Sequence, residues 1–352
     1  MAGNDSDEQN EYADRVPRIL LAHGGGGKKM NRLLDEVFLP AFDNDVLASR
    51  HDGAVFPLCD DGRRGALTTD SYVVTPLFFP GGNLGDLAVH GTVNDLAVCG
   101  AEPQFLSAGF LLEEGFPTHK LEEIVQTMKT RAEDTGVKVV TGDTKVVDRE
   151  EGEPEMMINT TGFGILDHDQ ELKPSCIRPG DRILINGDIG AHGMTILAER
   201  EGIEMDTPIE SDTMPVHRLI QDLIRNGIDI HCARDLTRGG LATAAIELAE
   251  ASGTGITLRE SVLPVTDPVK SACEMLGMDP EHVACEGRCM VIVPEPQAQD
   301  VLALMEDHDQ APEPVELGEV VAEHEGSVVM EGPIGGSRFL NMPGGEQLPR
   351  IC

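Results

Sequence analysis

The chain has 352 residues, and 27 Lys and Arg against 62 Asp and Glu give it a formal net charge of −35. This length allows two domains with separate cores, and 40% hydrophobic with 25% charged residues is ordinary for a globular protein. A charge this negative repels nucleic acid phosphates and anionic lipids, which excludes both as expected partners. The large negative charge, together with 3% aromatic residues and no Trp, favours a salt-adapted protein over an ordinary acidic one.

The start of the sequence and its cysteines indicate the compartment. Residues 1–16 are acidic and polar, without the basic and apolar regions of a signal peptide, so we expect a disordered acidic start. No apolar run reaches membrane-spanning length. The eight cysteines contain no C-x-x-C pair, which argues against a zinc site and favours a reducing compartment. We therefore expect a cytoplasmic protein.

Strands and helices alternate in the first domain, which we predict over residues 17–168. An apolar start at Ile19, Leu20 and Leu21 is followed by four glycines and by apolar residues at helical spacing over 30–38. The pattern then predicts strands at 66–69, 105–112, 137–140 and 156–165 and helices at 85–100 and 121–134. The strand at 137–140 leads into a predicted Gly-Asp-Thr turn at 142–144.

A domain boundary is predicted within residues 166–181, which are polar and carry Pro174, Pro179 and Gly180. The second domain, over 169–331, has predicted strands at 182–186 and 290–293 and helices at 216–226 and 240–252. Residues 332–352 are rich in Gly and Pro, and we predict a flexible tail there. The fold class is therefore α/β or α+β, with two domains of similar size.

Five aspartates stand at the ends of predicted strands or in turns: Asp52, Asp70, Asp95, Asp143 and Asp235. For each one alone, capping of a turn is the ordinary explanation. Together they suggest a site for Mg²⁺, which prefers oxygen ligands and bridges to phosphate oxygens. A protein of this charge would need such a metal to bind a polyphosphate.

The glycines Gly24, Gly25, Gly26 and Gly27 offer backbone N–H groups to a phosphate. The segment fails the Walker pattern, because Ala22 replaces its first Gly and Lys29 replaces its Ser or Thr. No G-x-G-x-x-G sequence follows a strand either. A nucleotide site here would have another architecture.

Cys352 is the last residue of the tail, where no core buries it. An accidental terminal cysteine is one interpretation. The other is a covalent carrier, a thiol moved between sites on a tether. An extended chain from Gly335 reaches up to roughly 60 Å, enough to enter an active site and also a partner protein.

Seven segments carry a family resemblance: Ala22-His23-Gly24, Thr68-Thr69-Asp70-Ser71, Pro76-Leu77-Phe78-Phe79-Pro80-Gly81-Gly82, Gly91-Thr92-Val93-Asn94-Asp95-Leu96-Ala97, Thr141-Gly142-Asp143-Thr144-Lys145-Val146-Val147, Arg234-Asp235-Leu236-Thr237-Arg238-Gly239-Gly240-Leu241-Ala242-Thr243 and Pro349-Arg350-Ile351-Cys352. Together they resemble the HypE family of hydrogenase maturation proteins, the carbamoyl dehydratases of the aminoimidazole ribonucleotide synthetase (PurM-like) superfamily. The aspartates and the Gly-Asp-Thr segment recur across that superfamily, whereas the Pro-Arg-Ile-Cys end is specific to HypE.

The resemblance implies a two-domain PurM-like fold whose N-terminal α/β domains pair in a homodimer through a β-barrel-type interface. It implies ATP and Mg²⁺ as cofactors. The implied ATP-binding residues are Gly24, Gly25, Gly26, Gly27, Asp52, Asp70, Asn94, Asp95, Gly142, Asp143, Thr144 and Asp235. The five aspartates among them, Asp52, Asp70, Asp95, Asp143 and Asp235, are the implied metal ligands.

The implied substrate is the protein's own tail. A carbamoyltransferase, HypF, places a carbamoyl group on Cys352, and ATP-dependent dehydration converts it to a thiocyanate. The cyanide then passes to iron on the HypC and HypD scaffold for the [NiFe] hydrogenase centre. Lys145 would steady phosphate or take a proton, and Glu286 is the candidate general base, although an ordinary ion pair is an alternative for both. Cys285 stands before Glu286 where the family pattern has Asn.

Two other functions remain open on the sequence. One is a small-molecule enzyme of the same superfamily, such as selenophosphate synthetase, thiamine-phosphate kinase or the purine cyclo-ligase. A mobile terminal cysteine argues against these enzymes, and the earliest cysteine, Cys59, is late for a selenophosphate enzyme. The other is a non-catalytic maturation scaffold whose tail only docks.

Overall fold

The structure is a computed structural model that describes residues 18–42, 44–60, 62–149, 152–203 and 207–343. The predicted disordered start and the carrier Cys352 lie outside these residues. The described chain forms two mixed α/β units, each built on its own large sheet. This agrees with the predicted two-domain α/β class.

The first unit contains a five-stranded sheet with the strand order β1-β2-β7-β5-β6. Its strands are β1 (Ala54–Pro57), β2 (Arg64–Tyr72), β5 (Glu102–Glu113), β6 (Lys138–Val147) and β7 (Met156–Leu166). A small hairpin, β3 (Phe78–Phe79) with β4 (Gly82–Asn83), stands beside it. The helices are α1 (Lys28–Leu33), which continues through a π turn at Leu34–Phe38 into Leu39–Ala41, α2 (Leu84–Val98) and α3 (Thr118–Thr135).

The second unit contains a seven-stranded sheet with the strand order β14-β13-β10-β12-β8-β11-β9. Its strands are β8 (Arg182–Ile185), β9 (Cys232–Asp235), β10 (Gly255–Arg259), β11 (Cys289–Val293), β12 (Val315–Val321), β13 (Val328–Glu331) and β14 (Ser337–Phe339). Its helices are α4 (Ala191–Glu201), α5 (His217–Arg225), α6 (Gly240–Ser252), α7 (Asp267–Leu276) and α8 (Ala298–Glu306). Short 3-10 turns occupy Leu21–His23, Leu47–Ser49, Pro174–Cys176, Glu260–Val262, Pro280–His282 and Glu295–Gln297.

Helix α2 packs against both units. It begins with a capping box, in which Asn83 accepts from the Gly85 N–H and Asp86 accepts from the Asn83 N–H, each at 2.8 Å. Every residue of the helix except Asp95 is buried. Its first turns belong to the core of the first unit, whereas Ala97 and Val98 share a buried cluster with α5 of the second. Burial on nearly all sides is expected for a helix that packs between two units.

An extended segment, residues 209–216, also joins the two units, and we call it the strap. The Ser211 N–H donates to the Pro80 carbonyl at 2.9 Å. Next along the strap, the Thr213 hydroxyl lies 3.2 Å from Nδ1 of His90 on α2. The strap therefore fixes one unit against the other next to α2.

Most predicted elements are present, but two predictions are wrong. The Gly-Asp-Thr segment is not a turn, because β6 continues through it to Val147 and pairs in parallel with β5. The predicted tail is not loop-like from residue 332, because β14 pairs with β13 and the side chains of Leu340 and Met342 join the second core. Among the described residues the five-stranded sheet is open, with β1 and β6 as its edges, so the implied barrel-type interface would need a second copy of the chain.

Candidate active site

Five carboxylates from separate segments form an acidic cluster between the two units: Asp52, Asp70, Asp95, Asp235 and Glu286. Asp52 precedes β1, Asp70 lies in β2 and Asp95 projects from α2. Asp235 ends β9, where it pairs with Cys289, the first residue of β11. Glu286 lies three residues before that strand, so the β9–β11 pairing brings it to the same place.

Thr68 and Arg234 fix two members of the acidic cluster. The Thr68 hydroxyl lies 2.7 Å from Oδ2 of Asp95 and 3.1 Å from the Asp52 carbonyl. Arg234 Nε lies 2.9 Å from Oδ1 of Asp52, and its Nη2 donates to Glu247. Burial by itself would raise the pKa of Asp52, but Arg234 and His51 together hold it below its ordinary value. The surroundings of Asp52 therefore favour its ionised form without a metal.

The other carboxylates repel one another in a buried setting. Burial, followed by the charges of Asp235, Asp52 and Asp70, raises the pKa of Asp95 well above its ordinary value. Burial and then Asp52 raise the pKa of Asp235 from 3.8 to about 7. Burial also raises the pKa of Asp70, against the opposing charge of Arg238. Ionising the whole cluster at neutral pH needs a compensating cation.

Glu286 is the most enclosed member, with 3% of its surface exposed. Burial first, and then Asp70, Asp235 and Asp212, raise its pKa well above the ordinary value. Its Oε1 is buried without a hydrogen-bond partner among the described residues, as is Oδ2 of Asp52. The unpaired Oδ2 of Asp52 fits Mg²⁺, which takes carboxylate ligands and would satisfy a group that is costly to leave unpaired. The unpaired Oε1 of Glu286 can accept a proton.

The four glycines at 24–27 lie beside the acidic cluster and beside the end of the described chain. A Cβ on Gly26 would stand 3.1 Å from Cβ of Arg238, whose charge acts on Asp70, Asp235 and Glu286. Gly27 has φ of 96°, and the N–H of Lys28 donates to the Pro343 carbonyl at 3.3 Å. Glycine is required at 27, because a Cβ would stand 2.8 Å from that carbonyl oxygen.

The predicted site residues of β6 lie away from the acidic cluster of the same chain. Strands β7 and β5 separate Asp70 from Gly142, so three strand spacings put them roughly 14 Å apart. Asp143 is fully exposed on the opposite sheet face, in register with Gly109, and Lys145 Nζ lies 2.5 Å from its Oδ2. Thr144 is exposed on the same strand. A single chain therefore does not bring Gly142, Asp143, Thr144 and Lys145 to the other candidates.

Asn94 lies beside the acidic cluster, but its side chain binds protein backbone. Its Nδ2 donates to the carbonyls of Met214 and Glu286 at 3.0 and 3.3 Å, and its Oδ1 accepts from the Val216 N–H at 2.8 Å. Both amide protons are thus committed, which differs from the expected role in cofactor binding.

Sequence reasoning missed three groups that shape the site. Thr68 and Arg234 lie in the same motif segments as Asp70 and Asp235. Their closeness in sequence to these aspartates is the feature from which a role at the site could have been predicted. Asp212, whose Oδ1 accepts from the Glu286 N–H at 2.9 Å, stands in the strap without any recognisable pattern around it.

Family models and relatives agree with this architecture. The N-terminal domain of AIR synthase related proteins matches residues 50–166, and the C-terminal domain of the same proteins matches residues 178–331. The fold and site thus define a two-domain AIR synthase related protein.

Closer relatives narrow this class to one family. The chain is 47% identical to the carbamoyl dehydratase HypE of Azotobacter vinelandii over 95% of this chain and 97% of that protein. It is 43% identical to HypE of Escherichia coli, over 95% and 99% of the two chains. The chain belongs to the HypE family of carbamoyl dehydratases.

Solved structures give the same result. A HypE in complex with ATP has a TM-score of 0.79 at 42% identity, covering 95% of this chain and 100% of that one. The HypE of a HypE–HypF complex has a TM-score of 0.83 at 43% identity, covering 88% and 99%. A thiamine monophosphate kinase of Aquifex aeolicus, at 17% identity and a TM-score of 0.60, shares the fold alone. In the described part of the chain, no helix has both the length and the hydropathy to cross a bilayer.

Proposed function

We propose that this chain is an ATP-dependent carbamoyl dehydratase that converts an S-carbamoyl group on its own Cys352 to a thiocyanate. The observation that carries the proposal is the contact chain from the tail to the acidic cluster. The Pro343 carbonyl binds Lys28, Gly26 packs on Arg238, and Arg238 faces Asp235. The terminal segment therefore leaves the second unit beside the carboxylates that would act on it.

The remaining tail is long enough to serve its own subunit. Nine residues follow Pro343 up to and including Cys352, and an extended chain of that length reaches about 30 Å. Pro343 lies against Gly27, Gly26 lies against Arg238, and the charge of Arg238 acts on Asp235 of the acidic cluster. We infer that Cys352 acts at the site of its own chain.

The reaction needs the carbamoyl oxygen to become a leaving group. When bound, ATP supplies the phosphoryl group for that oxygen, and Mg²⁺ held by the acidic cluster neutralises its charge. The C–O bond then breaks with phosphate leaving, while two N–H protons are lost and the C≡N bond forms. The products are the thiocyanate, ADP and phosphate.

The chain's own residues supply binding and proton transfer. Asp52, Asp70, Asp95 and Asp235 would provide oxygens for the metal. The N–H groups of Gly25, Gly26 and Gly27 would bind phosphate, whereas the Gly24 N–H already donates to the Leu21 carbonyl at 2.9 Å. Glu286 is the general base, because its Oε1 is free of other partners among the described residues and its burial makes it a stronger base than an exposed glutamate. Arg238 balances part of the negative charge around it.

We further propose a homodimer in which a second copy supplies β6. The face of the five-stranded sheet turned away from α2, here called the outer face, exposes a set of large apolar side chains: Leu67, Phe105, Leu111 and Met157. Both faces of β6 are exposed, and Val147, in register with Glu113, adds to the apolar area of the outer face. Covering this surface with a second copy would bury it and close the sheets into the barrel-type interface.

The dimer would also explain the position of the remaining candidate residues. Asp143 and Lys145 lie on the outer face, out of reach of their own acidic cluster. In a homodimer they would approach the cluster of the partner, where Lys145 would steady phosphate or take the second proton. The metal set of five aspartates would then come from two chains.

The cellular setting follows from the same proposal. HypF would carbamoylate Cys352, as the solved HypE–HypF complex of a relative suggests. The thiocyanate would deliver cyanide to iron on a HypC and HypD scaffold for the [NiFe] centre, in a salt-adapted cytoplasm. A small-molecule kinase or synthetase, or a non-catalytic scaffold, remains an outcome of the test below.

Intact-protein mass spectrometry tests the activity. The chain is incubated with HypF, carbamoyl phosphate, ATP and Mg²⁺, alongside the Cys352→Ala variant and a Cys59→Ala control, which removes the exposed thiol of Cys59. We expect wild type and Cys59→Ala to gain one carbamoyl group and then to lose one water while ATP is present, and we expect the loss of water to stop when ATP is removed. An adduct on Cys352→Ala, or none on wild type, would contradict the proposal and favour a small-molecule substrate. An adduct that never loses water would favour the scaffold.

A further inference from the structure

Asn94 joins the backbone of the Glu286 loop to helix α2. Its Nδ2 donates to the carbonyl of Glu286 at 3.3 Å and to that of Met214 in the strap at 3.0 Å. Its Oδ1 accepts the N–H of Val216 at 2.8 Å. One buried side chain of the first unit thus holds two segments of the second.

The peptide of Glu286 is held on its other side by the strap. Asp212 Oδ1 accepts the Glu286 N–H at 2.9 Å. The strap also passes so close to Gly287 that a Cβ there would stand 2.2 Å from the Asp212 carbonyl oxygen. With its N–H bound by Asp212 and its carbonyl bound by Asn94, the main chain of Glu286 has little freedom to shift.

The residue after Asn94 belongs to the acidic cluster. Asp95 leaves the same turn of α2 and accepts from the Thr68 hydroxyl at 2.7 Å. Two adjacent side chains of one rigid helix therefore contact the backbone of the proposed base and the carboxylate set of the proposed metal site. The helix cannot move one without moving the other.

We propose that Asn94 is a positioning residue that sets the distance between Glu286 in the second unit and Asp95 in the first. This inference rests on the proposed function, because it takes Glu286 as the base. Its role is distinct from cofactor binding, since both amide protons are already used by backbone carbonyls. A base displaced by about 1 Å loses roughly 100-fold in rate, so a defect in this contact should appear in the chemical step.

Single-turnover dehydration of the HypF-carbamoylated chain tests the inference, with ATP affinity measured on the same preparations. The variants are Asn94→Ala, Glu286→Gln and the double variant. Gln221→Ala is the matched control, because its buried amide also joins the two units, donating to the Gly100 carbonyl at 3.0 Å just beyond the C-terminal end of α2. Asn94→Asp keeps the acceptor for Val216 and the side-chain shape, and it replaces the alanine variant if that one does not fold.

We expect Asn94→Ala to dehydrate roughly 100-fold more slowly than wild type. Its ATP dissociation constant and the rate of Gln221→Ala should both stay within about twofold of wild type. Adding Asn94→Ala to Glu286→Gln should cost nothing further, because the positioned group is already gone. A merely structural role would instead lower the rate of both amide variants alike and would multiply the defect of Glu286→Gln.

Three results would overturn the inference. The first is an ATP affinity that falls in proportion to the rate, and the second is an equal loss in Gln221→Ala. The third is a full rate for Asn94→Ala while Glu286→Gln is inactive. That result would refute the positioning role of Asn94 but would still support Glu286 as the base. Full activity of Glu286→Gln would overturn the proposed base together with the inference.

Discussion

Replacing Asp235 by Asn tests whether the acidic cluster is built to hold a cation. Burial and then Asp52 raise the pKa of this carboxyl from 3.8 to about 7 in the folded chain. Between these two values the folded state holds a proton that the unfolded state has lost. The stability that Asp235 contributes is therefore fully present below pH 3.8 and is lost as the pH rises through about 7.

The expected size follows from this pKa difference. About 3 units at roughly 1.4 kcal/mol each give at most about 4 kcal/mol of destabilisation at pH 8. Asn cannot ionise, so the variant escapes this cost. We expect metal-free Asp235→Asn to be more stable than wild type by about 2–4 kcal/mol at pH 8, and the two to be similar at pH 4.

The free energy of unfolding would be measured by guanidinium titration and far-UV circular dichroism, since the chain has no Trp. Titrations would run in EDTA from pH 4 to 8, at constant KCl. Asp300→Asn is the control, because this aspartate is exposed on α8. Saturating Mg²⁺ should stabilise wild type more than Asp235→Asn, because the variant has lost a ligand. If the difference between the two proteins does not change with pH, mutual repulsion in the acidic cluster is refuted.

Two further outcomes follow from packing. Gly287→Ala places a methyl group against the Asp212 backbone, and we expect the free energy of unfolding to fall by about 1–3 kcal/mol, measured by guanidinium titration. Unchanged stability would show that the strap can move away from residue 287 at little cost. Leu111→Arg should convert a dimer to a monomer in light scattering and should abolish dehydration, whereas Met275→Arg, an equally apolar exposed residue of α7, should leave both unchanged. A dimer that persists in Leu111→Arg would place the interface elsewhere.

The spacing of apolar residues predicted helices and strands well where one face of the element is buried and the other is exposed to solvent. Helix α6 begins and ends at the predicted residues, because apolar periodicity and the following Gly253 mark it clearly. The pattern failed for β6, whose residues are exposed on both faces, so neither alternation nor burial marks its length. Gly142 and Asp143 read as a turn for the same reason. Pairing with β5 is a tertiary contact that overrides their local preference.

The site was predictable as a list of residues but not as a set of contacts. Asp70, Asp95 and Asp235 lie in motifs and do come together, since β2, α2 and β9 each bring one to the boundary between the units. Asp143 carries the same kind of motif and does not join them, because three strand spacings intervene. Motif chemistry cannot distinguish the two cases. Whether an aspartate joins the acidic cluster depends on which strands are neighbours in the sheet. In the proposed homodimer, Asp143 would join the cluster of the partner chain.

Helix α2 explains why the division of roles within one motif escaped the sequence. Asn94 and Asp95 are adjacent, and residues one apart on a helix point about 100° apart. At the boundary between the units, that angle directs Asn94 to the strap and the Glu286 backbone, while Asp95 points to Thr68 and the other carboxylates. The role of each side chain is thus decided by the position of the second unit, which the residues of α2 do not encode locally. ATP binding, the role predicted for Asn94, also uses its hydrogen-bonding groups, and only the contact between the two units selects backbone carbonyls over a nucleotide.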